Sequence, residues 1–207
     1  MTLILPGNKE FQSYSLYECP FKSFQKWYEE AETMEENPSA FSLATSSRKG
    51  IPSVRYLLFK GLKQYKFSFF TNRLSPKSKD LSENPFAAMA FYWHKSGRQV
   101  RISGKVEEMQ REIVKDYCLK RPRLSQAATY ISRQGQKLKN KDELIDSFDQ
   151  CLKDFEDTTI PVPDHWTGYS VKPYEIEFFI YGEHRLNDRF LFEKKQSDTW
   201  EISRLAP

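Results

Sequence analysis

The sequence predicts an α+β protein built on a mostly antiparallel β-sheet, either closed as a barrel or open, with helices at its periphery. Three observations predict it. Residues 40–106 are short apolar runs rich in aromatic and β-branched side chains, punctuated by the turn formers Ser47-Arg48-Lys49-Gly50, Gly61 and Ser96-Gly97. Helical spacing is confined to one stretch before them and several after them. There is no β-α-β alternation and no glycine-rich dinucleotide loop, which argues against a Rossmann fold.

Taken in order, residues 1–19 lack periodicity and read as an N-terminal arm, leaving residues 20–207 as one domain. Phe21, Phe24, Trp27, Tyr28 and Ala31 fall on one face of a first helix. The aromatic region then supplies about five antiparallel strands. Within it, Ser75-Pro76-Lys77 reads as a helix start, with a capping hydroxyl and proline at the first helical position, and Asn84-Pro85 stops that helix. Residues 112–120 form the next helix, ended by Pro122. Ser125 is placed as the cap of a short helix reaching Ile131, and Leu144, Phe148, Cys151, Leu152 and Phe155 mark another. Strands return over residues 174–181, 190–193 and 200–204.

Composition limits the function classes. The 207 residues include 16 Phe, 11 Tyr and 4 Trp, so a large apolar core is available despite a hydrophobic content of only 39%. The net charge of +4 is spread among acidic residues with no long basic run, which argues against a nucleic-acid partner. Cys19, Cys118 and Cys151 have no metal-ligand or C-x-x-C spacing and read as reduced thiols, and His94, His165 and His184 do not form a zinc motif. No metal is expected. Residues 1–10 show no targeting pattern and no run is long enough to span a membrane, so the expected compartment is the cytoplasm.

Five short polar stretches are expected to converge on one pocket: Arg55 to Lys60, Ser75-Pro76-Lys77, Arg98-Gln99-Val100-Arg101, Tyr117 through Arg121 to Ser125, and Arg185-Leu186-Asn187-Asp188-Arg189. Guanidinium, ammonium and hydroxyl groups suit a phosphorylated small molecule. The free amides at the start of the Ser75 helix, with Lys77 beside them, form one phosphate site, and Tyr117, Arg121 and Ser125 form another. Arg55 and Lys60 are an odd number of residues apart, so a regular strand would point them to opposite faces. A bulge, a ligand wrapping the strand end, or a site shared by two subunits would reconcile them. With no nucleophile or acid–base pair in evidence, hard chemistry would come from an organic cofactor.

In their order and spacing, Arg55-Tyr56-Leu57-Leu58-Phe59-Lys60-Gly61, Phe70-Thr71-Asn72, residues 98–104, residues 121–126, Glu177-Phe178, Arg185-Leu186-Asn187-Asp188-Arg189 and the closing Arg204-Leu205-Ala206-Pro207 resemble the pyridoxine (pyridoxamine) 5′-phosphate oxidase family. The resemblance implies a split β-barrel homodimer with flavin mononucleotide (FMN) in two clefts between subunits. It places FMN on Arg55, Tyr56, Leu57, Leu58, Lys60, Phe70, Thr71, Lys77, Gln99, Gln134, Gly135, Phe179 and Arg189. It places the substrate phosphate on Lys60, Tyr117, Arg121 and Ser125, with Arg185 and Asn187 over the pyridine ring as the catalytic pair. The implied reaction oxidises pyridoxine or pyridoxamine 5′-phosphate to pyridoxal 5′-phosphate, with dioxygen as acceptor and hydrogen peroxide as by-product.

Four departures from the family pattern stand out. Asn187 occupies a position usually held by histidine, Pro76-Lys77 replaces an Arg-Lys pair, Gln134-Gly135 replaces Gln-Ser, and Phe179 replaces a tryptophan. The arm also lacks the family's Arg-x-x-Tyr-like contact. Asn187 hydrogen-bonds but cannot shuttle a proton near neutrality. Two functions are therefore expected to compete: an active oxidase, or a relative that binds FMN or pyridoxal phosphate as a carrier or sensor with weak turnover.

Overall fold

The computed structural model describes residue 14 and residues 16–207. Most of the expected arm, including its altered substrate contact, lies outside the described residues. Leu16 is already part of the core, and the Tyr14 hydroxyl donates to Asp188 at 2.6 Å.

Helix α1 (Pro20–Met34) follows, with proline in its first turn where no N–H is needed. Six strands come next, β1 (Ala40–Ser46), β2 (Pro52–Leu58), β3 (Leu62–Lys63), β4 (Lys66–Asn72), β5 (Phe86–Trp93) and β6 (Arg98–Glu108), with α2 (Pro76–Glu83) between β4 and β5. Helices α3 (Arg111–Leu119), α4 (Arg123–Tyr130) and α5 (Asp142–Asp154) precede β7 (Trp166–Ile180), β8 (Asp188–Lys194) and β9 (Trp200–Leu205). All pairings are antiparallel, in the order β2-β1-β5-β6-β7-β4-β3, with β8 and β9 branching from β7. The branch splits the sheet: on one edge of β7, residues 166–171 pair with β4 and residues 175–180 pair with β8.

Helix α1 plugs the enclosed space. Phe24 packs edge-on to Phe59, Phe67 and Phe91, and Trp27 meets Phe178 at 5.0 Å between centroids. Buried indoles need a partner for their N–H. Trp27 donates to the Tyr14 carbonyl at 2.7 Å and Trp93 to that of Pro38 at 3.0 Å. A second, small core of Ala127, Cys151 and Ile160 holds α4 to α5.

Strand β7 begins eight residues earlier than residues 174–181 predict and runs through Gly168 and Pro173. Each has a packing reason to be there. The register between β6 and β7 slips at Ser103/Gly104, so Tyr174 is an extra residue beside Pro173, whose missing N–H a bulge tolerates. A Cβ on Gly104 would stand 2.6 Å from the Lys172 carbonyl oxygen. Ser125 is not a helix cap. Helix α4 starts at Arg123 with Pro122 as its N-cap, which puts Ser125 inside the first turn. Ser75 does occupy the N-cap of α2 but makes no capping bond.

Candidate functional site

Most of the predicted phosphate ligands meet where β2, β4 and the start of β7 face α2, α3 and α4. A cavity of about 510 Å³ there is lined by Leu57, Phe70, Thr71, Arg121, Gln134 and Gly135, all predicted, together with Thr129, Arg133 and Trp166, which were not.

Lys77 is the centre of this cluster. It follows Pro76 at the start of α2 and is only 5% exposed as a residue, and its ammonium group donates to Thr71 Oγ1 and Ser75 Oγ at 3.0 Å and to Gln134 Oε1 at 3.3 Å. All three acceptors are uncharged, and no carboxylate pairs with Lys77 among the described residues. Burial, and then the neighbouring Arg55 guanidinium, lower its pKa to about 8. Arg55 donates to Thr45 Oγ1 at 2.8 Å and to the Leu43 carbonyl at 3.1 Å, and Thr45 in turn donates to Asp80 at 2.6 Å. The segment carrying Gln134 is pinned by Asn72, which donates to the Ser132 carbonyl at 3.2 Å. Gly135, at φ +87°, lies so close to Pro76 that a Cβ would be 3.2 Å from its ring. The small residue at 135 and the proline at 76 therefore fit one another.

A second cationic pair lies beside the first. Burial, and then Arg121, lower the pKa of Lys60, which has no ion-pair partner among the described residues. Arg121 is oriented by Thr129, which accepts its Nη1 at 2.5 Å, and by the Trp166 ring 5.0 Å below its guanidinium carbon. Thr129 donates to the Ser125 carbonyl at 2.8 Å, which ties Ser125 to the same group. Tyr117 stacks on Phe70, and burial raises its hydroxyl pKa above the ordinary range. The parity problem of Arg55 and Lys60 disappears because β2 ends at Leu58. The Phe59 N–H bonds to Ser39 and the Lys60 N–H to Ser68, so Lys60 has left the strand. Trp166 escaped prediction because nothing in its own stretch signals an arginine 45 positions upstream. Its indole N–H is buried without a hydrogen-bond partner among the described residues, an open donor in the same wall.

The remaining predicted residues form a separate group at the other end of β7. Gln99, Phe179 and Arg189 lie in one row across β6, β7 and β8. Buried Glu177, two residue pairs along and so on the same face, receives Arg189 Nε at 2.8 Å and also pairs with Arg101. Arg189 reaches the Ala206 carbonyl at 3.0 Å, which ties the C-terminal residues to the row. Arg185 is exposed at the tip of the β7–β8 turn and makes no hydrogen bond or ion pair among the described residues, whereas the half-buried Asn187 accepts the Gly182 N–H at 3.1 Å. From Gly168 to Ile180, β7 advances on the order of 40 Å along its path, at ~3.3 Å per residue. The two clusters thus stand at opposite ends of the longest strand.

Two of the expected converging arginines are used elsewhere. Arg98 pairs with Glu30 and lies 4.6 Å above the Trp27 ring, and Arg101 serves Glu177. Tyr56 and Leu58 project from the edge strand β2, where Tyr56 is 81% exposed. With Val54 on the same strand and Phe86 and Tyr92 on β5 they leave a broad apolar face uncovered.

Residues 28–152 match the family model described as pyridoxamine 5′-phosphate oxidase, and residues 166–207 match the one described as the pyridoxine 5′-phosphate oxidase C-terminal dimerisation region. The chain is 41% identical to a pyridoxine/pyridoxamine 5′-phosphate oxidase from Aliarcobacter butzleri over 91% of its own length and 89% of the relative's. It is 42% identical to one from Leptospira biflexa, with the same coverage. Among solved structures, PhzG from Burkholderia lata superposes with a TM-score of 0.88 at 24% identity, covering 100% of this chain and 99% of the other. An FMN-binding protein from Nostoc punctiforme gives 0.75 at 14%, covering 93% and 100%. These two establish the likeness of fold. No helix among the described residues is long and apolar enough to cross a membrane.

Proposed function

Because the chain belongs to the pyridoxamine 5′-phosphate oxidase family, we propose that it is an FMN-dependent oxidase that converts pyridoxine and pyridoxamine 5′-phosphates to pyridoxal 5′-phosphate and works as a homodimer. The observation that carries the reading is Lys77, a nearly buried ammonium beside a guanidinium with only neutral acceptors around it. A buried cation without a counter-charge is costly, and a phosphate dianion supplies that charge.

In this reading Lys77, Arg55 and Thr71 hold the FMN phosphate, with Gln134 beside them. Lys60, Arg121, Tyr117 and Ser125 hold the substrate phosphate. Both anions would enter cationic pairs whose like charges repel until a ligand arrives. Gln99, Phe179, Arg189 and Arg185 would come from the second copy, since β7 separates them from the phosphate sites. The uncovered face of β2 and β5 is of the kind that a stable interface buries, and a second copy laid on it would shield the open edge of β2.

Bound FMN supplies the two-electron acceptor and the return path to dioxygen. The chain's own residues supply placement. Anchoring the substrate phosphate fixes C4′ relative to the flavin, and the Arg185 guanidinium stabilises the negative charge of the ring's phenolic oxygen. C4′ loses a hydride and its heteroatom a proton, while dioxygen takes up two electrons and two protons and leaves as hydrogen peroxide. With the amine substrate, water then releases ammonia and the aldehyde. The competing reading, a carrier or sensor of FMN or pyridoxal phosphate, draws on Asn187, which has no proton to exchange near neutrality and whose carboxamide oxygen is already engaged.

The test is direct. Purified protein is expected to be yellow, dimeric and to release peroxide with pyridoxamine 5′-phosphate and pyridoxine 5′-phosphate. Colourless protein that takes up no added FMN overturns the reading, and yellow protein without peroxide selects the carrier.

A further inference from the structure

The turn that presents Arg185 is held in an unusual way. His184 and Arg185 both have positive φ, +54° and +66°, a left-handed conformation that non-glycine residues adopt in succession only when the surroundings impose it. Three features do so. The turn closes so tightly that a Cβ on Gly182 would lie 2.0 Å from the Leu186 carbonyl oxygen. The Leu186 N–H bonds to the Glu183 carbonyl at 3.0 Å. The Gly182 N–H bonds to Asn187 Oδ1 at 3.1 Å, the one side-chain hydrogen bond across residues 182–187 among the described residues.

Both feet of the turn are fixed independently of that bond. The Tyr181 N–H bonds to the Gly97 carbonyl at 2.9 Å, and Asp188 is held by Tyr14 and Arg204. Between the feet, Asn187 is the side chain that can set how far the loop bows outward, and so where the exposed Arg185 points.

We infer that Asn187 is a positioning residue: its carboxamide oxygen clamps the turn and thereby aims Arg185 at the ligand, without itself touching the ligand. This deepens the proposed function and rests on it for the role of Arg185. The chemistry is sufficient without a titrating group. An amide oxygen accepts the Gly182 N–H at any pH, whereas an imidazole in the same place would accept it only when neutral at the facing nitrogen.

Two measurements test the clamp. Amide hydrogen exchange of residues 181–187 in the FMN-loaded protein is expected to accelerate in Asn187→Ala and to stay slow in Asn187→Asp, which keeps the acceptor oxygen. Equilibrium binding of pyridoxal 5′-phosphate is expected to weaken roughly tenfold in Asn187→Ala. That loss should vanish when Arg185 is already alanine, because the effect passes through Arg185. Gly182→Ala, which forces the turn open from its other side, should reproduce both results and replaces Asn187→Ala if that variant fails to fold.

Unchanged exchange, or losses that multiply in the double variant, would show that Asn187 meets the ligand itself and overturn the inference alone. A wild-type protein that binds no pyridoxal 5′-phosphate, or an Arg185→Ala variant that binds it normally, overturns the proposed role of Arg185 and the inference with it.

Discussion

Phe70 and Tyr117 lie face to face, their ring centroids 3.8 Å apart and their planes 3° from parallel. The stack joins β4 to α3 and sets the tyrosine hydroxyl near Arg121, in the site proposed for the substrate phosphate. Its foundation is an absence. Phe70 pairs across the sheet with Gly168, where a Cβ would stand 2.8 Å from two Phe70 ring atoms and 2.7 Å from the Met109 sulfur. The bare glycine is the seat of the ring.

Gly168→Ala is therefore expected to lift Phe70 and tilt Tyr117 with it. Overpacking of this kind costs about 1–3 kcal/mol of stability. The functional effect should appear as a KM for the phosphorylated substrate raised several-fold, with kcat changed much less, because binding is disturbed while the reacting centre is held from elsewhere. Denaturant titration together with steady-state kinetics checks both parts. An unchanged KM in a destabilised variant would separate the stack from substrate binding.

The same glycine shows how far the sequence could be read. Aromatic and β-branched runs marked about five strands where β1 to β6 number six, because their side chains fill a common core whereas β3 is only two residues long, and Phe21, Phe24 and Trp27 marked α1 for the same reason. Lys77 was legible because proline, a capping residue and a cation fall within three consecutive positions. The start of β7 was not legible, because Gly168 and Pro173 taken locally are poor strand formers, whereas one faces a ring and the other sits at a bulge. Ser125 looked like a cap because only the tertiary path after Pro122 decides which residue starts α4. Trp166 under Arg121, and Glu177 between two arginines, are pairings across the sheet or between distant segments, which no stretch of neighbouring residues encodes.

In the proposed function Lys77 links folding to cofactor binding through pH. With its pKa lowered to about 8, the ammonium in the ligand-free protein releases its proton well before a lysine of the unfolded chain does. Between about pH 8 and the ordinary lysine range near 10.4, the unfolded state binds more protons. The stability of the FMN-free protein should therefore rise with pH across that window and be flat below it. Affinity for FMN should move oppositely, weakening by up to about tenfold per unit above pH 8, because the phosphate requires the protonated amine. Lys77→Gln should remove both slopes, raise the melting temperature of the FMN-free protein at pH 7, and bind FMN poorly. Melting curves and flavin titrations from pH 6.5 to about pH 9.5 check this, and a parallel pH slope in the variant would assign it to another group.

Glu177 is the opposite case, a buried carboxylate that its partners keep charged. Burial pushes its pKa up, but hydrogen bonds from Arg189 and Arg101, reinforced by their charges, outweigh that and hold it below the usual carboxylate range. Its contribution to stability is thus complete above the unfolded-state value near pH 4.3 and is lost as pH falls through the lower folded-state pKa. Glu177→Gln preserves shape but leaves two guanidiniums without their shared anion. The expected cost is about 2–3 kcal/mol at pH 7, at or below the low end for a broken buried pair because Arg101 is half exposed to solvent. The gap to the wild type should narrow as pH falls below about 4.3, where the unfolded chain takes up the proton that folded Glu177 resists, and close once the folded carboxylate protonates as well. The same substitution frees Arg189, whose other anchor is the Ala206 carbonyl, and so loosens the row Gln99, Phe179, Arg189. FMN affinity should then fall while the pH dependence set by Lys77 persists, since the two groups sit at opposite ends of β7. Urea titrations at pH 7 and at about pH 3.5, with flavin titrations alongside, check both halves, and a stability gap that does not narrow in acid would count against the ion pairs as its source.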